Sequence, residues 1–400
     1  MKAAGIIAEY NPFHNGHRFH VEKTRDITGA DVIIAVMSGN FVQRGHPALY
    51  NKWIRAECAV RGGVDLVLEL PYIFSCNSAE FFAKGSIGIL NLLGGVDFLS
   101  FGAEEGNLVA LQEATKILVE EEETVLKLAK ENLMNGMSFA KARSEALKII
   151  AGEETSSLLE KPNNILGIEY LKQLKRRKSN LVPIAVKREG PGYHDMEQDG
   201  NFVSASAIRA GLQEGKEIDA FSKSLPQTTV SRLEKRKPVF SQDMISYLIY
   251  QISVMNEAEL SEILSVNEGL ENKVKKAAKS ALDYEDLIEK IKSKRYPRTR
   301  IERMCCHILC KVSKAEYALL EAEDCWYTNI LASNEKGREF LRWIKKDKLS
   351  KILVCANPSK EIDKKQGLSD MLRIGNRCDK VYDLLSAEPV IERKPFILED

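Results

Sequence analysis

The chain has 400 residues, 44% hydrophobic and 29% charged, with 58 Lys and Arg against 57 Asp and Glu for a net charge of +1. This is the composition of an ordinary soluble protein, and the length predicts two domains rather than one small core. The charge balance excludes a basic field over the whole surface, so any nucleic-acid surface must be a local patch.

No run approaches the roughly 20 apolar residues that span a membrane. Glu9 ends the opening apolar run, unlike a signal peptide. A cytoplasmic protein with no membrane contact is expected.

Taken in chain order, Ala3–Ala8 is a short aliphatic run that predicts a first strand. It leads through Ile7 and Ala8 into Glu9-Tyr10-Asn11-Pro12-Phe13-His14-Asn15-Gly16-His17-Arg18-Phe19-His20, with a helix expected over about 17–28. A strand delivering such a turn to a helix start suits nucleoside triphosphate binding. Gly16 has no Cβ to hold a ligand away, and free N–H groups at the helix start would face phosphate. His14 and His17 would donate hydrogen bonds to an α-phosphate as charge builds on it. The same residues also serve as turn formers and helix caps, so the motif alone leaves both readings open.

Residues 31–37, 65–70 and 96–101 predict further strands, and 51–61 and 78–93 predict helices between them. This alternation argues for an α/β fold with a doubly wound parallel sheet. Ligands of such sheets bind beyond the carboxyl ends of the strands, where the strand order reverses. The unusual residues fall at those ends: His14 to His17 after the first strand, 38–45 after the second, and Gly102 after the fourth.

Residues 108–175 read as helices, with Glu120 to Glu123 as a solvated acidic face. A strand over 181–186 leads to Arg188, and Ser204 is the expected N-cap of a helix carrying Ser206, Ile208 and Arg209. Beyond about 215 strand signals fade, and charged helical patterns run from 241 to 348. This divides an ATP-binding part, 1–225, from a mainly helical, locally basic part, 226–400.

Cys305, Cys306, His307 and Cys310 cluster, yet they share an apolar helical stripe with Ile301, Met304 and Ile308. With no Cys-x-x-Cys pair, core thiols are expected and no metal site. Lys290, Lys292, Lys294, Arg295, Arg298, Arg300 and Arg303 form a dense basic stretch around Tyr296, opposed by Glu302 alone. Lys172, Lys175, Arg176, Arg177 and Lys178 form a second. Each is either a solvated face or an RNA contact, and Tyr296 would stack on a base or buttress the stretch.

Several blocks in register resemble the bacterial tRNA(Met) cytidine acetate ligase family of the nucleotidyltransferase superfamily. They are Glu9 to His17, Met37-Ser38-Gly39-Asn40-Phe41-Val42-Gln43-Arg44-Gly45, Asp65 to Pro71, Ser78-Ala79-Glu80, Phe101-Gly102-Ala103-Glu104, Lys161 to Gly167, Tyr193-His194-Asp195 and Lys294 to Arg300. The resemblance implies a Rossmann-like domain followed by a helical domain. It implies a ligase that activates acetate with ATP as acetyl-adenylate and forms N4-acetylcytidine at the wobble position of elongator tRNA(Met).

By the same resemblance His14, His17 and Arg209 would be catalytic, and residues 7–20 with Gly102, Asn163, Arg188 and Ser206 would bind nucleotide. One of Asn163 and Asn164 would cap the helix they precede. Gln43 and Arg44 would close over ATP or meet the RNA, and Lys294, Arg295, Arg298 and Arg300 would bind it. Mg²⁺ would arrive bound mainly through the triphosphate. One stretch departs from the family pattern: Asn329 and Ala332 stand nearest to where the family tends to carry an arginine and a glycine. That bears on tRNA docking, not on the ATP site. Two other readings are an adenylyltransferase acting on a small phosphorylated metabolite and a non-catalytic ATP-binding RNA-binding protein.

Overall fold

Short aliphatic runs become inner strands here because helices cover both of their faces. The computed structural model describes residues 1–104, 106–135, 137–187, 203–267, 269–321, 327–356, 366–386 and 394–399. Strands β1 (Ala3–Ala8), β2 (Val32–Ser38), β3 (Leu66–Leu70), β4 (Phe98–Ala103) and β5 (Val182–Lys187) lie parallel in the order β5-β4-β1-β2-β3. Every residue of β2 and β3 is buried, which explains their largely apolar character, with Glu69 of β3 the buried charged exception.

Along β1, Ala3 and Ile7 enter one core while Ala4 and Ile6 enter the other. The first core is closed by helices Ala79–Leu93, Leu108–Glu120 and Pro162–Arg176. The second is closed by α1 (Asn15–Thr28), α2 (Lys52–Arg61) and Ala205–Gln213. Chain order reverses between β1 and β4, so the ligand crevice of this sheet opens over their carboxyl ends. The doubly wound parallel sheet expected from the alternation is therefore present, and a mainly helical part follows it.

The sheet also continues within the part expected to be mainly helical. β6 (Tyr327–Ser333) runs antiparallel on β3, and β7 (Leu353–Cys355) and β8 (Phe396–Ile397) pair parallel with β6. All of β6 but Ile330 is buried. A short buried run between charged helical patterns carries no period that separates strand from helix.

Pairing of β6 on β3 places Asn329 in a buried polar network, so this departure from the family pattern lies inside the molecule. Asn329 Nδ2 donates to Glu69 Oε2 at 2.7 Å. Lys52 Nζ lies 2.6 Å from Glu69 Oε1 and 2.7 Å from Asp379 Oδ2. Asn40 Nδ2 completes the set at 2.8 Å from Asp379 Oδ1.

The cysteine cluster packs in the core of helix Arg298–Leu309. Burial pushes the Cys305 thiol up to about 12, which keeps it protonated. His307 is pushed down to about 3 by burial and then by Arg303, and its Nδ1 lies 3.0 Å from the Tyr72 hydroxyl. The acidic run meets the second basic cluster: Lys175 pairs with Glu120 at 2.7 Å and Arg176 with Glu122 at 2.5 Å. Lys172 is buried against Glu169.

Candidate active site

The turn after β1 converts a strand into a helix within a few residues. Tyr10 takes a left-handed conformation, φ 48°, and the Asn11–Pro12 peptide is cis. His14 is the N-cap of α1, and its Nδ1 accepts the Gly16 N–H at 3.0 Å. His17 Nδ1 accepts the His14 N–H at 3.2 Å. The two rings stack with centroids 3.8 Å apart.

A ring nitrogen that accepts a backbone N–H carries no proton, so each neutral ring is protonated on Nε2. The result is a stacked pair of Nε2–H donors, pre-oriented by the backbone. Tyr10 and Phe13, both buried, meet the His17 ring with centroids 4.9 and 5.7 Å away.

Gly16 is required by this stack: a Cβ there would sit 2.8 Å from His14 Cε1. It thereby admits the His14 ring. One correction concerns the helix start. The Asn15 N–H donates to Ser224 C=O at 2.9 Å, that of Gly16 to His14 Nδ1, and that of His17 to His14 C=O at 2.9 Å. The first-turn N–H groups expected to face phosphate have protein partners, which leaves the imidazoles and the helix dipole to meet an anion.

Ser204 caps helix Ala205–Gln213 as expected. Arg209 Nη1 donates to Asn11 C=O at 3.0 Å and Nη2 to Ser206 Oγ at 3.1 Å. Ser206 and Arg209 therefore stand beside the histidine turn although some 198 residues separate Arg209 from Asn11.

Gly102 lies at the end of β4, across the crevice from the carboxyl end of β1. Glu104 just beyond it clasps the start of helix Pro162–Arg176: Oε1 accepts the Asn163 N–H at 3.0 Å and its Nδ2 at 2.8 Å, and Oε2 accepts the Asn164 N–H at 2.9 Å. The cap of Pro162–Arg176 is thus a carboxylate from just past β4, not either asparagine. Arg188 and Tyr193-His194-Asp195 lie outside the described residues.

Other members of the 7–20 block have their own partners and burial. Arg18 is exposed and paired with Glu22 at 2.8 Å. His20 Nε2 lies 2.9 Å from Ser100 Oγ on β4. Ile7 is a core residue, and Ala8, Phe19 and Asn15 are half-buried.

Sequence reasoning missed Arg55, which is 1% exposed. Its guanidinium donates to the carbonyls of Tyr50 at 2.9 Å and Ser38 at 3.1 Å, and to those of Glu9 and Gly39. It ties together the loops leaving β1 and β2, and burial lowers its pKa to about 10. A charge on the apolar face of α2 was the available signal.

The loop after β2 rests on the basic stretch. Gly45 has φ +90°, and a Cβ there would come within 2.2 Å of the Arg303 backbone nitrogen. His46 Nδ1 lies 2.9 Å from Ser241 Oγ, and Nε2 lies 3.4 Å from Glu302. Burial, then Arg209, Arg298 and Arg44, pull His46 down to about 4, so the ring is neutral.

Arg298 is held by carboxylates: 2.6 Å to both Glu285 oxygens and 2.7 Å to Glu302. Lys294 and Arg295 are exposed, whereas Tyr296 is buried with Arg300 4.7 Å and Arg295 5.8 Å from its ring centre. Tyr296 buttresses the stretch. Gln43 is half-buried; its N–H donates to Glu9 Oε1 and its Nε2 to Asn77 C=O. A cleft of about 290 Å³, bordered by Glu9, Arg44, Arg209, Ser241 and Glu285, lies between the basic stretch and the histidine turn.

The HIGH Nucleotidyl Transferase family model matches residues 1–394. The chain is 43% identical over 352 residues to a protein of Caldanaerobacter subterraneus subsp. tengcongensis named tRNA(Met) cytidine acetate ligase, covering 86% of each chain. A Caldicellulosiruptor saccharolyticus protein of the same name is 41% identical over 390 residues, covering 96% of this chain and 94% of its own. Among solved structures, the apo form of Thermotoga maritima TmcAL is similar with a TM-score of 0.92 and 34% identity over all of both chains. The same protein bound with alpha-thio ATP gives 0.89 at 33%, again over all of both chains.

Proposed function

The chain belongs to the tRNA(Met) cytidine acetate ligase family of HIGH nucleotidyl transferases, and on that premise we propose that it acetylates the wobble cytidine of elongator tRNA(Met) using ATP and acetate. The observation that carries the reading is the stacked His14–His17 pair, with two Nε2–H donors held at the reversal of the sheet.

A carboxylate is a poor electrophile and the cytidine N4 amine a poor nucleophile, so acetate must first be activated. An acetate oxygen attacks the ATP α-phosphorus, the bond to the bridging oxygen breaks, and pyrophosphate leaves. His14 and His17 meet the charge that builds on the α-phosphate with donors already in place. Arg209 and Ser206 hold the leaving phosphates, a role that suits a planar fork beside a hydroxyl.

Mg²⁺ neutralises the triphosphate when bound. Glu9 Oε1 and both Glu104 oxygens accept backbone N–H groups, which fits a Mg²⁺ carried by phosphate oxygens and water. In the second step N4 attacks the acetyl carbonyl carbon, the bond to the adenylate oxygen breaks, and AMP leaves as N4 loses a proton. Gly102, Asn163 and Arg188 belong to the adenosine side of this reading.

Incubation with Mg-ATP, radiolabelled acetate and unmodified elongator tRNA(Met) is expected to place label in the RNA as N4-acetylcytidine, dependent on ATP. Pyrophosphate release with a small phosphorylated acceptor and no label in RNA would instead make it a metabolite adenylyltransferase. ATP binding without pyrophosphate release would leave a binding protein.

For the RNA surface, Lys294, Arg295 and Arg300 are the contacts we assign, with Arg298 mainly holding Glu285 and Glu302. Replacing those three by glutamine is expected to weaken tRNA binding and to reduce the slope of log K against log salt by roughly two to three. Arg298→Ala is expected to lower the melting temperature instead, because it strips a buried carboxylate of its partner. An unaltered salt slope in the triple variant removes the patch from the RNA surface.

A further inference from the structure

We propose that the outer face of helix Gln366–Ser386, with the exposed tyrosines of helix Ile245–Val254 beside it, is a second RNA surface that grips the tRNA through phosphates and stacked bases. The inference rests on the tRNA reading and adds a contact surface separate from the basic stretch at 294–300.

Helical spacing sorts the side chains of Gln366–Ser386 onto two faces. Leu372, Cys378, Asp379 and Tyr382 are buried on the inner one. Asp379 holds Asn40 and Lys52, and the Tyr382 hydroxyl donates to Ala48 C=O at 2.8 Å. That face seats the helix on the loop after β2, which carries Gln43 and Arg44. Arg373, Asn376, Arg377, Lys380, Val381 and Leu384 fall on the outer face and line a groove of about 410 Å³. One helix diameter, about 10 Å, therefore separates the groove from the loop beside the ATP site.

The groove is cationic. Arg377 pairs with Glu316 at 3.0 Å, whereas Arg373 and Lys380 are exposed, with no carboxylate partner among the described residues. Asp370 and Asp383, half-buried, lie a turn beyond either end of the row. Arg373, Arg377 and Lys380 thus present charge along two turns of helix to an anionic strand. At the end of the groove the Tyr247 hydroxyl meets Leu384 C=O at 3.4 Å, which joins the two helices. Tyr247 and Tyr250, one turn apart, are 42% and 66% exposed. Tyrosine rings open to water beside arginine and lysine suit the stacking of unpaired bases. Their helix packs on Arg298–Leu309, the helix that the first basic stretch opens, so the two RNA surfaces share one support. A second copy of this chain, at net charge +1, brings no surplus of acid to such a face, and a polyanion does.

Replacing Arg373 and Lys380 together by glutamine is expected to weaken tRNA(Met) binding on the order of tenfold and to reduce the slope of log K against log salt by about two. Tyr250→Ala is expected to weaken binding by a similar factor with the slope unchanged, as for a lost stacking platform. Acetate-dependent ATP–pyrophosphate exchange, measured without RNA, is expected to stay within about twofold in both variants. Unchanged affinity and slope would remove the groove from the RNA surface, and equal loss of exchange would make the face a support of the ATP site; either overturns the proposal. A change from dimer to monomer with tRNA binding intact would assign the face to a second copy, which also overturns it. Failure of the unsubstituted protein to bind tRNA(Met) would overturn the tRNA reading beneath. A second measurement needs no substitution: acetylation of Lys380 by an amine-reactive reagent is expected to slow severalfold when tRNA(Met) is bound, and not with ATP alone. An equal rate with and without tRNA overturns the assignment.

Discussion

His17→Gln is expected to lower acetate-dependent ATP–pyrophosphate exchange by a factor on the order of 10² or more while leaving the melting temperature near that of the unsubstituted protein. The separation follows from the two jobs of the side chain. Its Nδ1 closes the start of α1 by accepting the His14 N–H, a task that glutamine at the third helical position also performs. Its Nε2–H is the group proposed to meet developing phosphate charge, and glutamine withdraws it.

His14→Asn makes the matching case, since asparagine is a good N-cap that again lacks the imidazole donor. A folded His17→Gln enzyme with unchanged exchange would end the assignment of His17. Loss of melting temperature and activity in parallel would reduce both histidines to helix caps.

The second large effect is on stability. Lys52→Met is expected to cost roughly 3–5 kcal/mol, the range for stripping a buried charge of its partner. Lys52 is 2% exposed and stands between Glu69 and Asp379, which would face each other's charge without a cation. The pH dependence carries the diagnosis. Burial already raises the Glu69 carboxyl above its ordinary value against the opposing pull of Lys52. Removing Lys52 raises it further.

A carboxyl whose folded pKa is raised supports folding most fully below its unfolded value, and that support is lost as pH rises through the folded value. The variant should therefore recover stability as pH is lowered from 8 towards 5, narrowing its gap to the unsubstituted protein in chemical denaturation. A gap that stays constant over that window would show that the lost contribution is packing rather than charge. The network also anchors Asn40 in the loop after β2, so the variant's activity should fail at lower temperature than its parent's.

Some of this was legible because it is local. The strand–helix alternation of the first hundred residues follows from apolar runs of strand length separated by helical periods. The Ser204 cap sits one residue before its helix, and the His14-Asn15-Gly16-His17 turn lies within one segment, so adjacency alone brings its rings together. Charges set among apolar neighbours, Arg55 in α2 and Glu69 in β3, carried a readable signal without naming their partners.

What the tertiary structure decided is which distant group each side chain meets. Packing sets Arg209 on Asn11 C=O, Ser224 C=O on the Asn15 N–H, Glu104 on the helix that Asn163 opens, and carboxylates around Arg298. It also turned residues 327–333 into a strand antiparallel to β3. Hydrophobic period records whether a residue is buried and on which face. It holds no record of the partner, because a buried polar group is satisfied by whatever donor or acceptor the folded chain brings within hydrogen-bond reach.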